Sequence, residues 1–237
     1  MLTAIFAVYA LGLLVTLLTV GGLSDYIGRR PVLAAALIVE AASMVVFLTA
    51  DRVGLLLVAR ILQGMGMGAA MGAISAGLVD LQPSPTSRLG SVLNSAAPAA
   101  GLALGALGSG VLVQYAPAPT MLVLVLLIAV FLLLTAAVFF LPEPVTPRPG
   151  AWASLRPQAA VPPQRRRAFL AITPCLVATW AITGFYHSLG PSLAAGILHI
   201  GSHLVGALAL TTFYSAGTVA SPLSRNLAPK RVMAAGA

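Results

Sequence analysis

Apolar residues in this chain do not alternate with polar ones; they come in long runs. Seven stretches are almost free of charge, approximately Leu2–Leu23, Val32–Ala50, Val53–Val79, Val92–Tyr115, Ala118–Leu141, Phe169–Ile197 and Ser202–Leu223. As helices, each is long enough to cross a hydrocarbon layer, which takes about 20 residues. They are rich in Ala and Leu and lack the two-residue alternation of a membrane strand. A helix satisfies its own backbone where no water is present. The pattern therefore predicts an all-α fold, a polytopic transmembrane helical bundle of about seven spans.

Composition agrees with the pattern. Hydrophobic residues make up 59% of the 237 and charged residues only 8%, against about 25% charged in an ordinary soluble domain. The net charge of +8 does not point to nucleic acid, because the basic residues lie between apolar spans and form no solvated face. Their placement sets an orientation instead. Arg29 and Arg30 follow the first span, Arg88 the third, Arg148, Arg156, Arg165, Arg166 and Arg167 the fifth, and Arg225, Lys230 and Arg231 the seventh. These alternate connections hold eleven of the thirteen basic residues; Arg52 lies in an opposite loop and Arg60 within a span. The crowded side is expected to be cytoplasmic, with the N-terminus outside and the C-terminus inside. The first 20 residues lack the basic start of a signal peptide, and more spans follow at once.

The segment 142–168 breaks the pattern. Between Pro142 and Arg167 it carries seven prolines and five arginines. Proline removes backbone donors, so a continuous helix is not expected. We read a cytoplasmic linker with a short surface-lying piece around Trp152 and basic side chains that touch anionic lipid. It separates a bundle over 1–141 from a shorter one over 169–237. Seven helices in this orientation also describe rhodopsins and receptors, but a retinal site needs a lysine in a late helix, and Lys230, the one lysine, is in a loop.

After the first span the chain reads Gly21-Gly22-Leu23-Ser24-Asp25-Tyr26-Ile27-Gly28-Arg29-Arg30-Pro31. This resembles the signature loop between helices 2 and 3 of the major facilitator superfamily, roughly G-x-L-x-D-R-x-G-R-R/K. Gly21, Leu23, Asp25, Gly28, Arg29 and Arg30 match; Tyr26 departs, a basic residue being usual there. Arg60-Ile61-Leu62-Gln63-Gly64-Met65-Gly66 is similar to the family's R-x-x-Q-G-x-G segment in helix 4. Asn94 to Gly110, with Pro98, Gly101 and Gly105, is a loose version of the Gly/Pro-rich helix 5 motif of antiporters, with Ala97-Pro98 where Gly-Pro is usual. The resemblance spans essentially the whole chain. It implies a partial fold of that family, helices 2 to 8 of twelve, a truncated form lacking the first helix and the last four. Nested inverted repeats build the two halves of that fold.

On this reading Gly21, Asp25, Gly28, Arg29, Arg30 and Asp80 form a gating motif near the cytoplasmic face, with a carboxylate between two guanidiniums. The alternative is a set of headgroup-facing charges that only fixes topology. Gly28 marks a turn too tight for a Cβ. Arg60 lies about 9 Å inside its span, where a charge is costly and faces a cavity or a partner. Snorkelling to the outer interface is the competing reading. Gln63, Met67 and Met71 share its stripe. Glu40, the acid in the middle of a span, reads equally as a proton site or as a neutral carboxyl bonded within the bundle. Asn94 joins the coupling and cavity set. Gly64, Gly68, Gly101 and Gly105 read as close helix packing, and Pro98 as a kink. Gly64, Gly66, Gly68 and Gly72 follow no strand, so they are not a nucleotide loop.

Other chemistry is thin. Cys175 is the one cysteine, which excludes an internal disulfide and a cysteine-based zinc site. His199 and His203 have no third ligand, and Gly201 and Ser202 between them suggest a loop. Ser75 and Ser109 form no nucleophile elbow. Trp180, Phe185, Tyr186 and His187 either line a binding cavity or pack against lipid and core. No enzyme, cofactor or metal is expected. The resemblance implies a proton-coupled efflux transporter of small organic molecules, an antiporter working by alternating access. It would be a monomer when complete, in a bacterial inner membrane. A transport-inactive fragment or assembly partner is the alternative.

Overall fold

The computed structural model describes residues 2–82, 84, 89–155, 164, 166–167, 169–175, 177–178, 180–182, 184 and 203–224. Arg88, Arg156, Arg165, Phe185, Tyr186, His187, His199, Arg225, Lys230 and Arg231, all singled out above, lie outside the described residues. The described elements are helices: α1 (Leu2–Val20), α2 (Ser24–Ile27), α3 (Arg29–Leu48), α4 (Val53–Asp80), α5 (Leu89–Tyr115), α6 (Pro119–Val138) and α7 (Ala151–Ser154). An apolar helix over Phe169–Ile182 (α8) and α9 (His203–Ser224) follow. Among the described residues, α3, α4, α5 and α6 are long and apolar enough to cross a membrane. A helix runs through the described part of each of the seven expected spans, and no strand is present among the described residues.

The helix ends show where local chemistry overrode hydrophobicity. α1 stops at Val20, ahead of the expected Leu23, because Gly21-Gly22 lets the chain turn, closed by the Leu23 N–H on the Val20 carbonyl at 2.9 Å. α3 starts at Arg29, three residues before the apolar run begins. α6 ends at Val138 and tightens into i→i−3 turns, with Phe139, Phe140 and Leu141 donating to Ala136, Ala137 and Val138. Pro142 then has no N–H with which to continue a helix.

By packing, the chain forms two compact units: Met1–Pro85 with Thr120–Ala159, and Thr86–Pro119 with Ala160–Ala237. In this grouping α5 keeps company with α9. In that second unit, Thr211 donates to the Ala103 carbonyl at 3.3 Å, and Ala103 and Tyr214 are buried.

In the first unit α4 is the central helix, packed against α1 on one side and α3 on the other. Glycines make both seams close. Gly64, Gly68 and Gly72 recur every four residues on one face of α4. A Cβ at Gly64 would run into the Tyr9 carbonyl and stand 2.8 Å from the Leu13 nitrogen. At Gly68 it would stand 2.6 Å from the Leu13 carbonyl, and at Gly72 3.0 Å from the Gly21 Cα. From the other side, a Cβ at Gly12 would meet the Ile61 carbonyl at 3.1 Å. Backbones this close maximise dispersion contact where no hydrophobic effect draws helices together. Val32, Ala36, Ala69, Ala70 and Ala73 form the small-residue core between α3 and α4.

Gly64 and Gly68 thus stand at close backbone contacts. At Gly101 and Gly105 a Cβ meets nothing within 4 Å among the described residues. Regular spacing sets a face of α5, but small residues draw helices together only where another backbone lies opposite.

Candidate functional site

The signature-like loop folds into one charged cluster. α2 is a single turn, and Gly28 joins it to α3 with φ 106° and ψ 156°. That is a backbone region open essentially to glycine alone. The turn aims the α2 side chains and the first residues of α3 at one another.

Arg29 is the hub, its side chain only 13% exposed. Its Nη1 donates to Ser24 Oγ at 2.6 Å and to Asp25 Oδ1. Its Nε donates to Asp80 Oδ2 at 2.9 Å, with Nη2 also 2.9 Å from that oxygen. One guanidinium therefore ties α2 to the end of α4. The expected order, a carboxylate between two guanidiniums, is inverted: a guanidinium lies between two carboxylates. Arg30 turns elsewhere and donates through Nη2 to the Phe139 carbonyl at the end of α6. The reason is helical geometry. Residues 29 and 30 are about 100° apart around the axis and cannot face the same partner.

Two arginines in the first turn of α3 oppose the helix dipole, which favours anions at that end. α3 has no acidic residue of its own there and no side-chain cap from Gly28. Glu143 supplies both from beyond α6. Its Oε1 accepts the Arg29 N–H at 2.9 Å and the Val145 N–H at 3.3 Å, and its Oε2 accepts the Arg30 N–H at 2.8 Å. Partial burial pushes the Glu143 carboxyl up, but these three N–H groups and the Arg30 charge outweigh it and hold the group below the usual glutamate range. A Cβ on Gly28 would stand 2.7 Å from Glu143 Oε2, so any other residue there would displace the carboxylate as well as strain φ.

A second polar group lies inside the helices. Arg60 Nη1 donates to Gln63 Oε1 at 3.0 Å, and its guanidinium carbon stands 5.3 Å from the centre of the Phe47 ring on α3. Gln63 shares the helical stripe of Arg60, and the two side chains bond along it. Glu40 is buried at 6% exposure and rests on the bare backbone of Gly66, where a Cβ would meet its Cγ and Oε1 at 2.9 Å. Its Oε1 has no hydrogen-bond partner among the described residues, and the carboxyl lies beside the Met67 backbone N–H. Tyr9 of α1 lies across from Gly64, one turn along α4 from Arg60. Asn94 and Pro98 are exposed on α5, in the other unit. Among the described residues, no three His, Cys, Asp or Glu side chains come together to hold a metal ion.

Sequence reasoning missed Ser24, Glu143 and Tyr9. Glu143 did carry a signal: it is the one acid after Asp80, set in a stretch of prolines where no helix needs it. Ser24 and Tyr9 had none, since neither a serine nor a tyrosine announces its partner by type alone.

Apolar helices close-packed on glycine, a costly cation–carboxyl group in their interior and a charged cluster at their ends together define a polytopic membrane protein. The family model described as Major Facilitator Superfamily matches residues 1–237. The chain belongs to that family: it is an integral membrane protein of a transporter family, not an enzyme. No curated protein matches the chain, and no solved structure does.

Proposed function

We propose that this chain works in proton-coupled efflux of small organic molecules by alternating access. The observation that carries the reading is the interior group of Tyr9, Glu40, Arg60 and Gln63. A carboxyl with an oxygen unpartnered among the described residues and a guanidinium on a neighbouring helix are costly in lipid. Such a pair is suited to exchange one proton against a change in helix packing. Arg60 is the coupling cation and Glu40 the proton carrier. Asp25, Arg29 and Asp80 are the gate on the side that the basic loops make cytoplasmic. α5, with Asn94 and Pro98, contributes to the moving interface. The membrane is a bacterial inner membrane on the short loops.

The experiment is uptake of a fluorescent organic cation into proteoliposomes holding the chain, with and without an imposed pH gradient. Arg60→Ala abolishes the gradient-driven component and leaves downhill movement. Gradient-driven uptake equal to wild type would remove the coupling role.

A further inference from the structure

Between α6 and α7 the backbone lies along the charged cluster instead of bridging open space. The segment Pro142–Gly150 contains Pro142, Pro144, Pro147 and Pro149, so nearly half of its φ angles are fixed in advance and less entropy is lost when it docks. Two of its remaining amides have partners: Val145 on Glu143, as above, and Arg148 on the Tyr26 carbonyl of α2 at 2.9 Å.

Tyr26 is held from three directions by this one segment. Its carbonyl takes the Arg148 N–H. Its ring lies under the Arg148 guanidinium, 4.6 Å from carbon to ring centre. Its Cε1 stands 3.3 Å from where a Cβ on Gly150 would be, and Gly150 has φ 107°. Beyond that glycine, α7 closes the contact. Ser154 is 3% exposed, and its carbonyl lies 4.0 Å from a Cβ position on Gly22. Arg148 itself is exposed. An exposed arginine normally samples many rotamers; here the backbone bond fixes where its planar group begins, and stacking on an aromatic face fixes where it ends.

We infer that residues 143–150 form a clasp over the α2–α3 turn, anchored at Glu143 and locked by Arg148 on Tyr26. Glu143 fixes the α3 side of the turn and Arg148 the α2 side, so the clasp holds Asp25 and Arg29 in register from outside. It brings a cation to Tyr26, the position at which the loop departs from the resemblance described above. It also makes the start of the Pro/Arg-rich segment part of the cluster rather than a free tether. The clasp is independent of whether the chain moves a substrate.

Hydrogen–deuterium exchange of the whole chain in detergent tests it, read by mass spectrometry at amide 148 and at amides 29 and 30. The wild type protects amide 148. Arg148→Gln and Tyr26→Leu each speed its exchange about fivefold, the scale of one exposed cation–aromatic contact. Tyr26→Phe, which keeps the ring, stays within about twofold of wild type. Arg148→Gln has no further effect in the Tyr26→Leu background, because both remove the same contact. Amides 29 and 30 stay protected by Glu143 in every variant, which shows that the fold survives. Amide 148 exchanging in the wild type as fast as an unstructured peptide would overturn the clasp. So would effects of the two substitutions that add.

Discussion

Gly28→Ala separates two costs that the structure places at one atom. The first is conformational. Gly28 has φ 106° and ψ 156°, a region costing roughly 1–3 kcal/mol for a residue with a Cβ. The second is steric and electrostatic. The new methyl would stand 2.7 Å from Glu143 Oε2, so the carboxylate must leave, and the first-turn N–H groups of α3 lose their cap. Losing an N-cap costs about 1 kcal/mol, and removing the anion from the positive end of the dipole adds up to about 1 kcal/mol. The single substitution is therefore expected to destabilise the chain by about 2–5 kcal/mol. Glu143→Ala alone is expected to cost about 1–2 kcal/mol.

The decisive quantity is their coupling. With Glu143 already gone, Gly28→Ala adds only the backbone strain, so the double variant is less damaged than the sum by about 1–2 kcal/mol. The assay is denaturant unfolding in detergent micelles, followed by circular dichroism, for the wild type, both single variants and the double. Strict additivity would refute the claim that Glu143 occupies the space above Gly28. A neutral Gly28→Ala would refute the backbone argument as well.

Three further predictions use other parts of the structure. Glu143 is held below its ordinary value of 4.5, so its contribution to stability is full above that value and is lost as pH falls through its lower folded value; Glu143→Gln should flatten the acid side of a stability–pH curve, and an unchanged acid limb would count against the cap. Gly68→Ala should lower the unfolding temperature clearly, since its Cβ would stand 2.6 Å from the Leu13 carbonyl, whereas Gly101→Ala and Gly105→Ala should be neutral or slightly stabilising by helix propensity, about 1 kcal/mol at most. Trp152 is 88% exposed on α7, so in a Trp180→Phe background its fluorescence should be quenched by lipids brominated near the headgroup, as for an interfacial tryptophan; no quenching would place α7 away from the bilayer surface.

The long helices were legible in the sequence because lipid imposes one rule on every span, a run of apolar residues that bonds its own backbone. The Gly64–Gly68 seam was legible for the same reason: a four-residue spacing puts small residues on one face whatever lies opposite. What lies opposite was not legible, and Gly101 and Gly105 carry the same pattern with no such contact among the described residues. The pairing inside the charged cluster was half legible. Asp25, Arg29 and Asp80 were brought together as expected, but the choice of Arg29 over Arg30 depends on helical phase from a start residue that hydrophobicity placed three positions late. Glu143 was hidden because its partners are 113 and 114 residues away and its own surroundings read as linker. Tyr9 was hidden because nothing in an apolar run announces which neighbour its hydroxyl will meet.

The proposal of proton-linked export rests on movement of a proton against movement of a molecule, and that exchange is directly measurable. Proteoliposomes containing the chain are loaded with the pH dye pyranine, and a panel of small organic cations and acids is added outside. The account predicts that at least one compound drives protons in the opposite direction to itself, and that Glu40→Gln and Arg60→Ala remove this proton movement. A compound that crosses in the wild type without moving protons, or proton movement that persists in both variants, would contradict it.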